Sequence, residues 1–311
     1  MTYKIPKPYI PVHKPTVDGI PTVYYIETVL ACNLACPECV IGRDAVTRIK
    51  KILKLDQFKV ISEKIKSYAN LVYLHKWGEP MMNKNIFTMI STVNEYAHAH
   101  ISTNGTLLDK NKCDELIKSG VGTVIVSIDG LTQNVYEQYR IGGKVEKVLE
   151  NIRYLNEANQ RYGNHVALLP QFIVFDHNYH EVEAFKKFCE DNNLRAIFKK
   201  PYIRFGDMKE SADKKYQRVK YETPSVHYDA IASCPHLDAI MTITADGRLL
   251  VCPQDYNNDL FIGNILDEGT TIKNLWEREE YKKFRELAIQ KKCPPDICIK
   301  RCMIYNPGYP V

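Results

Sequence analysis

No stretch of the 311-residue chain approaches the roughly 20 consecutive apolar residues that a membrane span needs. Its start, MTYKIPKPYIPVHKP, has charges and prolines but no apolar segment followed by a small-residue cleavage site. Neither a transmembrane helix nor a secretory signal is expected, and the cytoplasm is the expected compartment. Blocks of like charge are also missing. The net charge of +5 is spread over mixed basic and acidic residues, as on any solvated surface, and gives no strong reason to expect nucleic acid or membrane as a partner. There are no internal repeats and no low-complexity segment. With 45% apolar and 25% charged residues and a slightly negative mean hydropathy, the chain reads as one large globular domain, or a large one with a small annex.

Cysteine, by contrast, is plentiful. Ten thiols without a secretory signal argue against a disulfide framework and for metal ligands. Eight fall in two groups, Cys32/Cys36/Cys39 and Cys234/Cys252/Cys293/Cys298/Cys302. Cys113 and Cys189 stand alone within expected helices and read as small buried hydrophobes.

Between residues 22 and 199, β-branched apolar runs alternate with helical patterns, the signature of βα units around a parallel sheet. Strands are expected at 22–30, 71–75, 99–103, 123–128, 166–175 and 195–199, and helices at about 56–69, 86–97, 110–119, 144–159 and 179–192. Six such units make an α/β fold of the partial (β/α)6, TIM-like barrel kind, with ligands beyond the carboxyl ends of the strands. Residues 203–233 turn polar and carry no strand pattern. In AIMTITADGRLLVC two short strands are joined at Asp246-Gly247, a dipeptide suited to a tight hairpin turn. The stretch IKNLWEREEYKKFRELAIQ then has Ile272, Leu275, Trp276, Phe284, Leu287 and Ala288 at helical spacing, most simply one helix packed on that hairpin. The expected division is 1–202, 203–233 and 234–311.

The stretch CNLACPECV spaces three thiols as C-x₃-C-x₂-C. Three thiolates bind zinc with a fourth protein ligand, or three irons of a [4Fe–4S] cluster whose fourth iron stays open. Neither a fourth Cys nor a His stands nearby. The motif, after a barrel's first strand, resembles the signature of the radical S-adenosylmethionine (radical SAM) superfamily. There the open iron is chelated by the methionine end of the cofactor, and a 5′-deoxyadenosyl radical abstracts hydrogen from substrate. Glu38 stands where an aromatic residue that touches adenine is common in that family.

HKWGEP (75–80) resembles the family's glycine-glycine-glutamate motif, with Trp77 in place of the first glycine. The resemblance implies that Gly78 lets the backbone approach the methionine and that Glu79 accepts its ammonium. STNGT (102–106) and VSIDG (126–130) look like segments that meet the ribose and carboxylate in relatives, which makes Ser102, Asn104, Ser127 and Asp129 cofactor-binding candidates. The same resemblance implies Arg140, in YRIGG, at the carboxylate and Gln171, on the fifth strand, at the ribose. His75 is weighed as a catalyst against an ordinary cleft histidine, the latter being the commoner case.

Cys234, Gly247 and Cys252, spaced C-x₁₂-G-x₄-C, closely resemble the opening of the SPASM and twitch domains, C-terminal modules of radical SAM enzymes that hold auxiliary [4Fe–4S] clusters. Five cysteines here, against seven in a full SPASM domain, imply one auxiliary cluster, with Cys234, Cys252, Cys298 and Cys302 as its ligands. Cys293 is then spare, a substitute ligand, or a hydrogen-atom donor to a substrate radical. Asp255 caps a turn or helix, or contacts substrate.

The resemblance implies an oxidoreductase with SAM, a reducible cluster and one auxiliary cluster, served by an electron donor such as flavodoxin or ferredoxin. A sugar, aminocyclitol or nucleotide-sugar undergoing dehydrogenation or epimerisation is the first expectation, because no peptide-recognition domain of ~80 residues is evident at the N-terminus. Maturation or epimerisation of a ribosomal peptide is the alternative. Selectivity is expected in residues 203–233 and in Tyr202, Arg204 and Asp207. A zinc-stabilised nucleic-acid-binding or scaffold protein is the rival of another class, without a basic stripe to support it.

Overall fold

The computed structural model describes residues 16–217, 240–250 and 252–289. A two-residue turn at Asp18-Gly19, both at positive φ, joins β1 (Thr16–Val17) to β2 (Ile20–Pro21). The six expected strands follow as β3 (Val23–Ile26), β4 (Leu71–Tyr73), β5 (His98–Thr103), β6 (Thr123–Ser127), β7 (Ala167–Ile173) and β8 (Ile197–Lys199). All pair in parallel with their sequence neighbours, for instance Val126 with Pro170. Along β5 buried and half-buried residues alternate, Ala99, Ile101 and Thr103 being buried and His98, His100 and Ser102 partly exposed, whereas β6 and β7 are nearly continuous buried runs.

The crossover helices are α1 (Leu55–Ile65), α2 (Ile86–Asn94), α3 (Lys110–Lys118), α4 (Gln133–Tyr139), α5 (Val145–Arg161) and α6 (Val182–Asp191). The face expected on α5 is the one that packs: Val145, Val148, Ile152 and Leu155 are buried and Leu149 is partly so. Cys113 and Cys189 are fully buried core thiols, as expected. Helix α4 was not expected. It starts beside Glu181, whose carboxylate takes the Leu131 and Thr132 amides and the Thr132 hydroxyl (2.5, 3.2 and 2.6 Å). It ends by delivering Arg140 to the carboxyl ends of the strands.

The C-terminal hairpin forms as expected from β9 (Ile240–Ile243) and β10 (Arg248–Leu250), with Gly247 at φ +83° in the turn. Two features differ. A third strand, β11 (Phe261–Asn264), extends the hairpin, and β9 pairs in parallel with β3, giving one nine-stranded sheet ordered β11-β10-β9-β3-β4-β5-β6-β7-β8. The single helix expected after it is two, α7 (Ile272–Trp276) and α8 (Glu279–Ile289). The chain breaks between them because Arg278 turns its guanidinium to the Ile262 carbonyl (2.5 Å) and Tyr281 packs edge-on against Trp276 (4.8 Å). Residues 203–217 are tied to the body: Asp176 donates its amide to Lys209, and Tyr216 is buried. No helix among the described residues is long and apolar enough to cross a membrane.

Candidate active site

The loops after β3 to β8 enclose a cavity of about 400 Å³. Its lining includes Cys32, Cys36 and Cys39, so the three thiols of the motif face one space. The Leu34 amide donates to Cys32 Sγ (3.4 Å), while Asn104 Nδ2 and Arg140 Nη1 point at Cys32 Sγ and Cys36 Sγ, each at 3.7 Å. Burial pushes both thiols up, Cys36 to about 12. Without a metal they stay protonated. Among the described residues no Cys, His, Asp and Glu side chains form a ready-made ligand cage. The donor set nevertheless suits an iron–sulfur cluster: three soft thiols with hydrogen-bond donors aimed at the sulfurs.

Gly78, Glu79, Ser102, Asn104, Ser127, Arg140 and Gln171 also line this cavity, so seven of the eight cofactor-binding candidates come together. Gly78 is glycine for a reason the sequence did not give. A Cβ there would fall 2.1 Å from the Val29 carbonyl oxygen and 2.7 Å from that of Ala31, because the loop lies directly against the strand-end backbone. The Glu79 amide donates to Ala31 (2.8 Å). Its buried carboxylate accepts from Thr103 Oγ1 (2.7 Å), the Asn104 amide (2.8 Å) and the Met81 amide (3.1 Å), three of about four lone-pair sites.

Asp129, the eighth candidate, lies behind the cavity wall. Fully buried at φ +63°, it accepts from Arg140 Nε (2.7 Å) and the Ile173 amide (2.5 Å) and thereby aims the guanidinium. Gln171 donates to Ser127 Oγ (3.3 Å), and its Oε1 is buried without a protein partner. A buried orphan acceptor on a cavity wall needs a donor from a ligand or water. A ribose hydroxyl meets that need, so the residues present fit SAM.

His75 is packed among Tyr73, His100 and Tyr25, with ring centroids at 5.6, 5.4 and 6.2 Å, and its Nδ1 accepts from the Ser102 amide (3.1 Å). Burial, aided by the Lys76 ammonium, pushes its pKa down to about 3, so the ring is neutral at ordinary pH. Lys76 lies over the rings of Tyr25 (4.7 Å) and Trp77 (5.0 Å), and burial pushes it down to about 8. Arg204 lies over Tyr202 (5.0 Å) and Tyr256 (5.5 Å).

The family model described as the radical SAM superfamily matches residues 26–189, more than half of the chain. The chain belongs to the radical SAM superfamily. A second model, of the SPASM iron–sulfur cluster-binding domain, matches residues 234–303. The chain is 24% identical over 258 residues to an AdoMet-dependent heme synthase of Nitratidesulfovibrio vulgaris, covering 78% of this chain and 68% of that one. It is 21% identical over 298 residues to the S-adenosyl-L-methionine-dependent 2-deoxy-scyllo-inosamine dehydrogenase of Niallia circulans, covering 92% and 94%. Streptococcus suis SuiB, solved with its precursor peptide SuiA, superposes with a TM-score of 0.64 at 15% identity over 93% of this chain and 71% of that one, a likeness of fold.

A radical SAM enzyme uses its cluster and SAM to supply a 5′-deoxyadenosyl radical, here beside an auxiliary iron–sulfur cluster. The zinc-stabilised scaffold reading gives way to this one. Such chemistry requires an electron donor and a small-molecule or peptide substrate.

The structure gives Glu38 a role that the family pattern did not suggest. It is buried, and its carboxylate accepts from the amides of Arg204 and Phe205 (2.6 Å each) and Met208 (2.9 Å). The radical SAM cysteine loop is thereby clasped to the segment after β8. A second buried tie, also missed, joins Glu27 to Arg48 as a two-pronged ion pair, with Arg48 Nε on the Tyr256 carbonyl (2.7 Å) and the Ala245 amide on Glu27 (3.1 Å). An acidic residue breaking a motif was the only sequence signal for the first, and no motif pointed to the second.

Of the second thiol group, Cys252 is described and accepts from the Gln254 amide (3.4 Å), as Cys32 does from Leu34. Asp255 caps the loop that follows, accepting from the Asp259 and Leu260 amides (3.0 and 2.7 Å). Cys234, Cys293, Cys298 and Cys302 lie outside the described residues.

Proposed function

We propose that the radical is directed at a residue of a ribosomally made peptide, so that the enzyme is a maturase or epimerase rather than the sugar, aminocyclitol or nucleotide-sugar enzyme expected first. The observation that carries this reading is that the cavity, about 400 Å³, is open to solvent rather than closed. A long substrate can present one residue past Trp77, Tyr202 and Arg204 while the rest stays outside. The fold likeness to SuiB, solved with its precursor peptide, adds support.

In this reading Cys32, Cys36 and Cys39 hold the reducible cluster. Glu79 offers its remaining lone pair to the methionine ammonium, and Arg140, aimed by Asp129, faces the carboxylate. Gln171 Oε1 takes a ribose hydroxyl, while Ser102, Asn104 and Ser127 complete the wall. Gly78 keeps Glu79 against the strand ends. Cys234, Cys252, Cys298 and Cys302 are the proposed ligands of the auxiliary cluster, with Cys293 spare or a hydrogen-atom donor. Flavodoxin or ferredoxin is the proposed electron donor. The second reading, dehydrogenation of a cyclitol or sugar, is favoured by the Niallia circulans relative, which aligns with this chain nearly end to end.

The test is anaerobic reconstitution followed by incubation with SAM, reductant and either short peptides encoded beside the gene or 2-deoxy-scyllo-inosamine. Peptide-dependent 5′-deoxyadenosine with a mass change on the peptide is expected, and turnover of the cyclitol alone overturns the peptide reading. Two [4Fe–4S] clusters give roughly eight irons per chain. Cys32→Ser should remove about half of that iron, whereas stoichiometric zinc in a colourless protein would contradict the assignment.

A further inference from the structure

We propose that Lys76 and Arg204 form a subsite for a compact oxyanion of the substrate, a carboxylate or a phosphate. The proposal rests on the reading of this cavity as the radical SAM site and names a chemical feature of what enters it.

The cavity lining carries five cations, Lys76, Arg140, Lys199, Lys200 and Arg204, against the carboxylates Glu38 and Glu79. The described carboxylates around it are already committed. Glu79 holds three donors, Glu38 three amides, Glu27 the Arg48 guanidinium and Asp129 that of Arg140. Lys76 and Arg204 instead rest on ring faces, Lys76 on Tyr25 and Trp77, Arg204 on Tyr202 and Tyr256.

A ring face stabilises a cation by only about 0.5–2 kcal/mol and takes up none of its capacity for strong N–H hydrogen bonds to oxygen. An oxyanion supplies charge-assisted acceptors for those N–H groups. Burial disfavours the Lys76 ammonium, an effect that Cys252 and Glu27 offset in part and Arg204 reinforces. A positive wall in a low-dielectric cleft also concentrates anionic ligands.

A carboxylate from an acidic peptide residue and a phosphate from a nucleotide-sugar satisfy this chemistry equally, and the experiment separates them. Reconstituted protein with SAM is titrated calorimetrically with hexaglutamate, with UDP-glucose, and with hexaserine and glucose as neutral controls. One charged probe is expected to bind at least tenfold more tightly than its control. That preference should be lost in Lys76→Met and Arg204→Gln and largely restored in Lys76→Arg. SAM affinity, measured by equilibrium dialysis, should be unchanged in all three variants.

No preference for either charged probe, or a preference that survives both substitutions, overturns the subsite. So does a loss of SAM affinity in Lys76→Met, which would assign the lysine to the cofactor's own carboxylate. Preferential binding of UDP-glucose keeps the subsite and removes the peptide reading. Formation of 5′-deoxyadenosine on the same preparations reports the enzyme assignment separately.

Discussion

The two sides of the cavity hold their charges by different means. On the cofactor side each carboxylate is fixed by several donors: Glu79 by Thr103, Asn104 and Met81, and Asp129 by Arg140 and Ile173. On the side of Lys76 and Arg204 the charges lie on the faces of Tyr25, Trp77, Tyr202 and Tyr256. Hydrogen bonds fix direction, whereas a ring face tolerates sliding and rotation. On the proposed reading, one side meets a single invariant ligand and the other a partner that brings its own polar groups. This division suits a family that shares a cofactor and differs in substrate.

The largest expected effect is that of Gly78→Ala, which places a methyl group 2.1 Å from the Val29 carbonyl oxygen and displaces Glu79 with it. We expect a loss of about 3 kcal/mol or more in stability. SAM affinity should fall at least a hundredfold, measured by denaturation and equilibrium dialysis; wild-type values in both would break the view that this side depends on backbone closeness. Glu79→Gln comes next. It turns an amide NH₂ toward donors that a carboxylate oxygen had accepted, at a cost of about 1–3 kcal/mol, with SAM binding weakened about tenfold. Equal sensitivity of SAM binding to Lys76→Met would erase the distinction between the two sides.

Glu38→Gln tests the joint between the sides. It keeps one acceptor for three amides, so the amides of Arg204, Phe205 and Met208 should exchange with deuterium faster by at least tenfold, a change readable without cofactor or substrate. Unchanged exchange would remove the clasp. The smallest effect concerns acid. His75 is held near pKa 3, His100 well below the ordinary value and His98 below it, each chiefly by burial. The unfolded chain takes up protons below about pH 6.5 that the folded imidazoles refuse. Stability from this source is fully present above pH 6.5 and declines as pH falls toward 3. His100→Phe should flatten the fall of Tm with acid over that window; an unchanged slope would place the sensitivity elsewhere.

Features that repeat locally along the chain were legible in the sequence. The six parallel strands, five of the crossover helices, the Asp246-Gly247 hairpin and the convergence of Cys32, Cys36 and Cys39 all follow from periodicity or close spacing. What escaped depends on residues far apart. The Glu38 clasp joins residues 166 positions apart, and no local pattern records it. Gly78 was expected to make room for the cofactor, yet its Cβ is excluded by the neighbouring backbone at Val29 and Ala31. The helical stripe from Ile272 to Ala288 is continuous in hydrophobicity but broken in space, where the Arg278 guanidinium reaches back to the Ile262 carbonyl and Tyr281 buries against Trp276.

The parallel pairing of Val23–Ile26 with Ile240–Ile243 carries a consequence for synthesis. The first barrel strand leaves the ribosome more than 200 residues before its outer neighbour, an interval of roughly 10–40 s at 5–20 residues/s. During that time one edge of the nascent sheet is open to pairing with another chain. A nascent chain arrested before residue 240 should therefore bind chaperones or aggregate, while one released after residue 250 should do so less, since β9 and β10 then cover that edge.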